Sequence, residues 1–310
     1  MEEPVYFQAN HTLALNPHNL KRVYGITVEF EQEGKEKQVV RYEIEVLAQK
    51  NKKNKTWLFQ FDRRNVFVNM KKPDTIADKL GYECGQVMYP LLIEVTGNWT
   101  KRTVKSRGLA QEKLKKLEEK TKMSYQSEII DKYFEKAWET LNDTTKFIRA
   151  IEQDLLLSFF FAPLYERYNM VTNTAETQMQ IPILPFCKPV LYDIKQKVMP
   201  NYTRFNTVTV IQDGKLSDER TEMDFLNRFD DAVFTGKGQS QKTEGKLQAK
   251  YELSMDTRVL HSLTAKGNIA LPKKQARSFE LQAYYLSERD KIAENSVIVP
   301  LKTEKTSKDE

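Results

Sequence analysis

Histidine and cysteine are nearly absent from this chain, with 3 His and 2 Cys in 310 residues. Scarce histidine removes the side chain that titrates nearest neutral pH and serves most often as general acid or base. Cys84 and Cys187 stand far apart, with no CxxC or Cys/His grouping, and read as independent thiols. Gly and Pro, at 11 each, are too few for a collagen-like or low-complexity chain, while 40% hydrophobic residues supply a core. The start MEEPVYF has no basic segment followed by an apolar one, so no secretory signal is visible and a cytoplasmic address is expected.

Motifs are missing as well. No GxSxG elbow, Walker A loop, GxGxxG turn or HExxH helix is legible. His11 and His18 lack the i,i+4 spacing of a helical zinc pair, and His261 falls in an expected strand. These absences lead to an expectation of no cofactor, no metal and no catalytic residue, and disfavour an enzyme. Long apolar runs are also lacking. The uncharged part of the most apolar run, Leu155 to Tyr165, falls well short of the roughly 20 residues a membrane helix needs, so no membrane span is expected.

That short stretch is nonetheless the most informative part of the chain. In DLLLSFFFAPLYERY, residues 154–168, apolar side chains leave no clean polar face, so the helix must be covered on more than one side. The flanks read as strand. Val23, Ile26, Val28 and Phe30, then Val40, Tyr42, Ile44 and Val46, then Trp57, Phe59 and Phe61 follow a period near two. KNKKNK at 50–55 reads as a hairpin loop, Arg63-Arg64-Asn65 as a turn or bulge, and 96–99 as a second hairpin turn. A short helix is expected over 73–80.

The middle of the chain changes period. Leu109, Leu114 and Leu117 open a solvated helix, and Ser124 is a candidate cap for a second one carrying Ile130, Phe134, Ala137 and Leu141. Asn142 or Asp143 caps a third helix, expected to continue into Leu155. Strands return beyond it. Prolines 182, 185 and 189 mark 179–184 as an edge or irregular strand rather than a central one. Segments 190–198, 205–211, 247–255, 259–271 and 278–286 follow as strands, with Asp213-Gly214 read as a turn and 217–231 as helical.

The expected fold class is therefore α+β, with two predominantly antiparallel β-sheet blocks joined by a central helical segment. The blocks are 1–107 and 171–310 and the helical segment is 108–170. A mobile loop is expected at 234–245 and a polar tail at 302–310. No Pro- or Gly-rich linker separates the blocks, which leaves one domain open.

The net charge of +6 is local. Residues 101–122 carry 9 basic and 3 acidic side chains, whereas 1–100 carry 14 and 13, and 123–310 carry 26 and 27. The candidate partner-binding residues are accordingly Trp99, Lys101, Arg102, Lys105, Arg107, Lys113 and Lys116, since Arg and aromatic side chains dominate binding hot spots. An acidic protein partner fits this strip. Nucleic acid is less favoured: Trp57, Phe59 and Phe61 imitate a stacking platform, but aromatics at period two more often form a core. The acidic group Asp218, Glu219, Glu222, Asp224, Asp230 and Asp231 has Arg220 and Arg228 as counterions, the pattern of a solvated face.

The reading that meets these features first is a noncatalytic protein-binding module, an adaptor, specific chaperone or assembly component. The alternatives are a carrier of an apolar ligand in a β half-barrel closed by helices, and a carboxylate-dependent enzyme.

Overall fold

Among the described residues, eleven antiparallel strands form one sheet, and the two strand-rich stretches meet in its middle. The computed structural model describes residues 3–18, 20–51, 56–96, 102–125, 127–185, 187–233, 242–272, 275–287 and 297–299. Strands β1 (Lys21–Gln32), β2 (Gln38–Asn51) and β3 (Thr56–Val68) lead into helix α1 (Ile76–Gln86), then β4 (Leu91–Val95) and β5 (Arg102–Val104). Helices α2 (Arg107–Ser124), α3 (Glu128–Asn142), α4 (Thr144–Glu152) and α5 (Leu155–Phe160) follow. The chain then returns to β6 (Thr174–Ile181), β7 (Val190–Val198), β8 (Thr207–Leu216), the short α6 (Glu222–Leu226), β9 (Gly245–Ser254), β10 (Leu260–Ile269) and β11 (Arg277–Tyr285).

The strand order is β5-β4-β3-β2-β1-β11-β10-β9-β8-β7-β6. Val28 of β1 is paired with Val40 of β2 on one side and Leu281 of β11 on the other. The α+β class and the antiparallel pairing stand, but the two expected blocks are halves of a continuous sheet rather than separate sheets. β6 is an edge strand, as its neighbouring prolines require.

Alternation decides which face is buried. In β7, Val190, Tyr192, Ile194 and Val198 are buried while Asp193, Lys195 and Lys197 are exposed. Side chains of β3 and β9 nevertheless meet. Phe59 of β3 and Tyr251 and Leu253 of β9 line one void of about 10 Å³ together with Phe159 and Phe160. On a flat sheet, five strand spacings would hold β3 and β9 about 24 Å apart. The sheet therefore curls around α5.

Helix α5 fills the curl. The Phe160 ring centroid lies 5.1 Å from that of Phe61 and 6.0 Å from that of Phe59, both edge-on, and Phe159 packs on Phe279 of β11 at 5.8 Å. Beyond the helix, Tyr165 donates to the Arg258 carbonyl at 2.8 Å, and Gln196 of β7 donates to the Pro163 carbonyl at 2.8 Å. A second, smaller core joins α1 to α4 through Leu80, Leu114, Phe134, Leu141 and Phe147. Met88, Val104 and Ile151 pack against both cores. Among the described residues, no helix is long and apolar enough to cross a membrane.

Several local expectations are corrected. Ser124 ends α2, and it is Ser127 that caps α3, accepting from the Ile129 N–H. The third helix stops at Glu152, because Asp154 starts α5 as a new N-cap. Asp213 and Gly214 lie inside β8, and the helix expected over 217–231 shrinks to α6. Gly214 is needed for close packing: a Cβ there would stand 2.6 Å from Ile194 Cδ1 and 2.8 Å from Leu247 Cβ. The Arg63-Arg64-Asn65 expectation resolves as a bulge, where the β2–β3 register shifts between Arg41 and Glu43. The hairpin tips at 52–55 and 97–101, loop residues 234–241 and the tail 302–310 lie outside the described residues.

Candidate functional site

Beside α5, where the two cores meet, a groove of about 550 Å³ opens between α1, α3, α4 and β4. Its apolar lining includes Val87, Met88, Leu91, Leu141, Ile151 and Leu157. Amphipathic spacing on α3 and α4 turns Leu141 and Ile151 inward, and Leu157 comes from the plug helix itself. The groove is thus continuous with the core through one side of α5. Its size and its apolar lining with a few convergent polar groups are those of a small-molecule site.

The polar end is built from Arg63, Tyr89 and Asp154. The Tyr89 hydroxyl donates to Asp154 Oδ2 at 3.2 Å, while Asp154 Oδ1 accepts from the Leu157 N–H at 3.0 Å as the cap of α5. Arg63 lies over the Tyr89 ring, its guanidinium carbon 4.6 Å from the centroid. Burial raises the Asp154 carboxyl above its ordinary value, against the Leu157 N–H and the Arg63 charge, which favour the carboxylate. Burial, and then the negative charge of Asp154, pushes the Tyr89 phenol far up. Cys84, on the wall of the groove, is pushed up to about 11 by burial and by Glu83, so it remains a thiol and a weak nucleophile. These polar groups can offer hydrogen bonds and charge to the groove.

The residues of the basic strip fall elsewhere, and most of those described contact the chain's own groups. Trp99 and Lys101 lie outside the described residues. Arg102 of β5 stands over the Phe161 ring at 5.5 Å, and Lys105 pairs with Glu94 at 3.2 Å. Arg107 donates to Thr144 Oγ1 and Lys113 to the Tyr89 carbonyl, which ties α2 to the groove's floor. Lys116 is exposed on α2.

The other sequence candidates also have places. Phe59 and Phe61 are fully buried against α5 and its end, so they form core rather than a stacking platform. The acidic group is divided among structural tasks. Asp218 binds buried Arg220, Asp224 completes the capping box of α6 with Thr221, and Asp230 pairs with Arg149 at 2.6 Å. His11 stacks on Phe7 and meets Asn173 Oδ1 at 3.0 Å. No group of three or more potential metal ligands occurs among the described residues.

A larger trough, about 1170 Å³, lies across β6 to β10. Its charges alternate in sign between neighbouring strands, as at Asp193, Lys195, Asp213 and Lys215, which is how a solvated sheet face is built. The apolar groove is the better candidate. The sequence alone placed none of Arg63, Tyr89 and Asp154 in a site: Arg63 read as part of a turn or bulge, and Asp154 as the start of the apolar run. Only Asp154 carried a local signal, as a capping residue immediately before an apolar run.

No family profile matches the chain, and no curated protein matches it in sequence. A solved chain described as "Lipid-protein interactions in lipovitellin" is similar over 86% of this chain, at 10% identity and a TM-score of 0.47. This chain spans about a quarter of that one, 25% of its length.

Proposed function

We propose that the protein is a carrier of an apolar ligand, which it holds in the groove beside α5. The observation that supports this is the open space of about 550 Å³ whose apolar lining runs into the core of a curled antiparallel sheet. The ligand does not lie under α5, where the chain's own phenylalanines leave a void of about 10 Å³. Binding an apolar fluorescent probe, N-phenyl-1-naphthylamine, tests the reading. Ala150 lines the groove from the exposed side of α4, so Ala150→Trp should fill the space and abolish the fluorescence gain with the fold retained. Equal probe binding by that variant counts against the groove.

Protein binding is a second reading and rests on another surface. Lys115, Lys116 and Lys120 are exposed along α2, the helix within the strip that carries the whole charge excess. An acidic protein is the partner such a face would attract, in a salt-sensitive way. Replacing Lys115, Lys116 and Lys120 by Glu should remove retention on immobilised poly-glutamate. Unchanged retention would take α2 out of the interaction.

A further inference from the structure

We infer that the groove selects amphiphiles with a single carboxylate head, and that the guanidinium of Arg63 receives that head. The inference rests on the ligand-binding reading above. Arg63 is fixed in place before any ligand arrives. Its guanidinium carbon lies 4.6 Å from the Tyr89 ring centroid and 6.0 Å from that of Tyr42. Nε donates to Gln86 Oε1 at 3.3 Å, and the Gln86 amide donates back to the Arg63 carbonyl at 2.9 Å. Gln86 is steadied in turn by the Tyr82 hydroxyl, to which it donates at 3.1 Å.

The outer edge of the fork is left over. Among the described residues, neither Nη1 nor Nη2 of Arg63 has a hydrogen-bond acceptor or an ion-pair partner. Gly85 keeps that edge clear, since a Cβ there would stand 3.1 Å from Nη2. Asp154 does not take the fork. No hydrogen bond or ion pair joins it to Arg63, and its two oxygens are turned to Tyr89 and to the Leu157 N–H. A planar, stacked guanidinium with two free donors matches a carboxylate bidentately, which a point charge would not.

Local charge sets the valence of the head. The Arg63 guanidinium faces the groove at its polar end, where the Asp154 carboxyl lies near enough to act on it electrostatically, while Lys136, a second cation of the lining, is exposed on α3. A monoanion is balanced by Arg63, whereas a dianionic phosphate would bring a second negative charge toward Asp154. A cationic head would meet Arg63 itself. The apolar residues Val87, Leu91, Leu141 and Leu157 then take the tail.

The test compares four single-chain probes of equal length by isothermal titration below their micelle concentrations: dodecanoate, dodecanol, dodecyl phosphate and dodecyltrimethylammonium. Dodecanoate should bind about tenfold more tightly than dodecanol, the order expected of hydrogen bonds to a charged group. Arg63→Gln should bring the two within about twofold of each other, chiefly through weaker dodecanoate binding. Arg63→Lys keeps the charge and loses the fork, so it should lower the preference for the acid and serves if the Gln variant does not fold. Equal binding of dodecanoate and dodecanol to the unmodified protein overturns the inference, as does tighter binding of the phosphate or the ammonium. An equal loss of both probes in Arg63→Gln overturns it too. Each of these leaves apolar-ligand binding standing, whereas failure of all four probes to bind removes both.

Discussion

Tyr89 and Asp154 join the groove to the plug helix: the phenol donates to Oδ2 of the carboxylate at 3.2 Å, and Oδ1 accepts from the first turn of α5. Removing the carboxylate breaks both. Asp154→Ala should destabilise by about 1 kcal/mol for the lost cap, with a further contribution from the stranded Tyr89 hydroxyl. Asp154→Asn keeps a capping acceptor and should cost less.

The same residue predicts a pH dependence. Burial raises the carboxyl of Asp154 in the folded chain, so between its unfolded value and the raised folded value the native state binds more protons than the unfolded one. Stability from this group is therefore fully present below the unfolded value and falls as pH rises through the folded value. Urea titrations across that window should show a flatter profile for Asp154→Asn than for the unmodified protein. Superimposable profiles would remove Asp154 from the pH response.

Asp218 carries the opposite sign. Burial works to raise its carboxyl, but Arg220, through hydrogen bonds and charge, and the Leu191 N–H hold it below the ordinary value. Arg220 is buried and donates Nε to Oδ1 at 2.8 Å and Nη2 to Oδ2 at 2.7 Å. The stability from this pair is present above the unfolded carboxyl value and is lost as pH falls through the lower folded value. Asp218→Ala leaves a buried guanidinium uncompensated and should cost about 3 to 5 kcal/mol at pH 7. The midpoint of urea unfolding reports it, and a loss below about 1 kcal/mol would show that the Lys188 and Pro189 carbonyls, which Arg220 also reaches, suffice.

The strand content was legible because a half-buried strand writes its alternation into consecutive residues. The segment 190–198, read from Val190, Tyr192, Ile194 and Val198, is β7. Long-range pairing leaves no such mark. Nothing local announces that Val28 sits beside Leu281, which is why the two strand-rich stretches read as separate blocks. The same limit hid the groove: Arg63, Tyr89 and Asp154 come from β3, the loop before β4 and the cap of α5. Each alone has an ordinary explanation, and only the fold brings them together.

Gly214 shows how tertiary packing overrode a local signal. Asp-Gly is a strong turn dipeptide, yet Gly214 sits in mid-strand opposite both Ile194 and Leu247. Gly214→Ala should destabilise by about 1 to 3 kcal/mol through overpacking. Ile194→Val removes the Cδ1 that the new methyl would meet at 2.6 Å, so the double variant should recover part of the loss. Additive losses in a double-mutant cycle would show that Leu247, and not Ile194, limits the space.

Phe160 tests whether α5 is structural filling. Its half-buried ring lies edge-on to Phe59, Phe61, Phe161 and Tyr24, and so binds the helix to β3 and β1 at once. An aspartate at this position would place an unpaired charge among four aromatic rings, at a cost of several kcal/mol that consumes most of a typical domain's stability. Phe160→Asp should therefore lose near-UV circular dichroism and cooperative unfolding, whereas Met123→Asp, at the exposed end of α2, should stay within about 0.5 kcal/mol of the unmodified protein. Phe160→Leu separates charge from volume, keeping an apolar side chain in the curl, and should remain folded with reduced stability. A stable, cooperative Phe160→Asp protein would mean that α5 leaves the sheet at little cost, and the interior of the curl would then join the groove as space for a ligand.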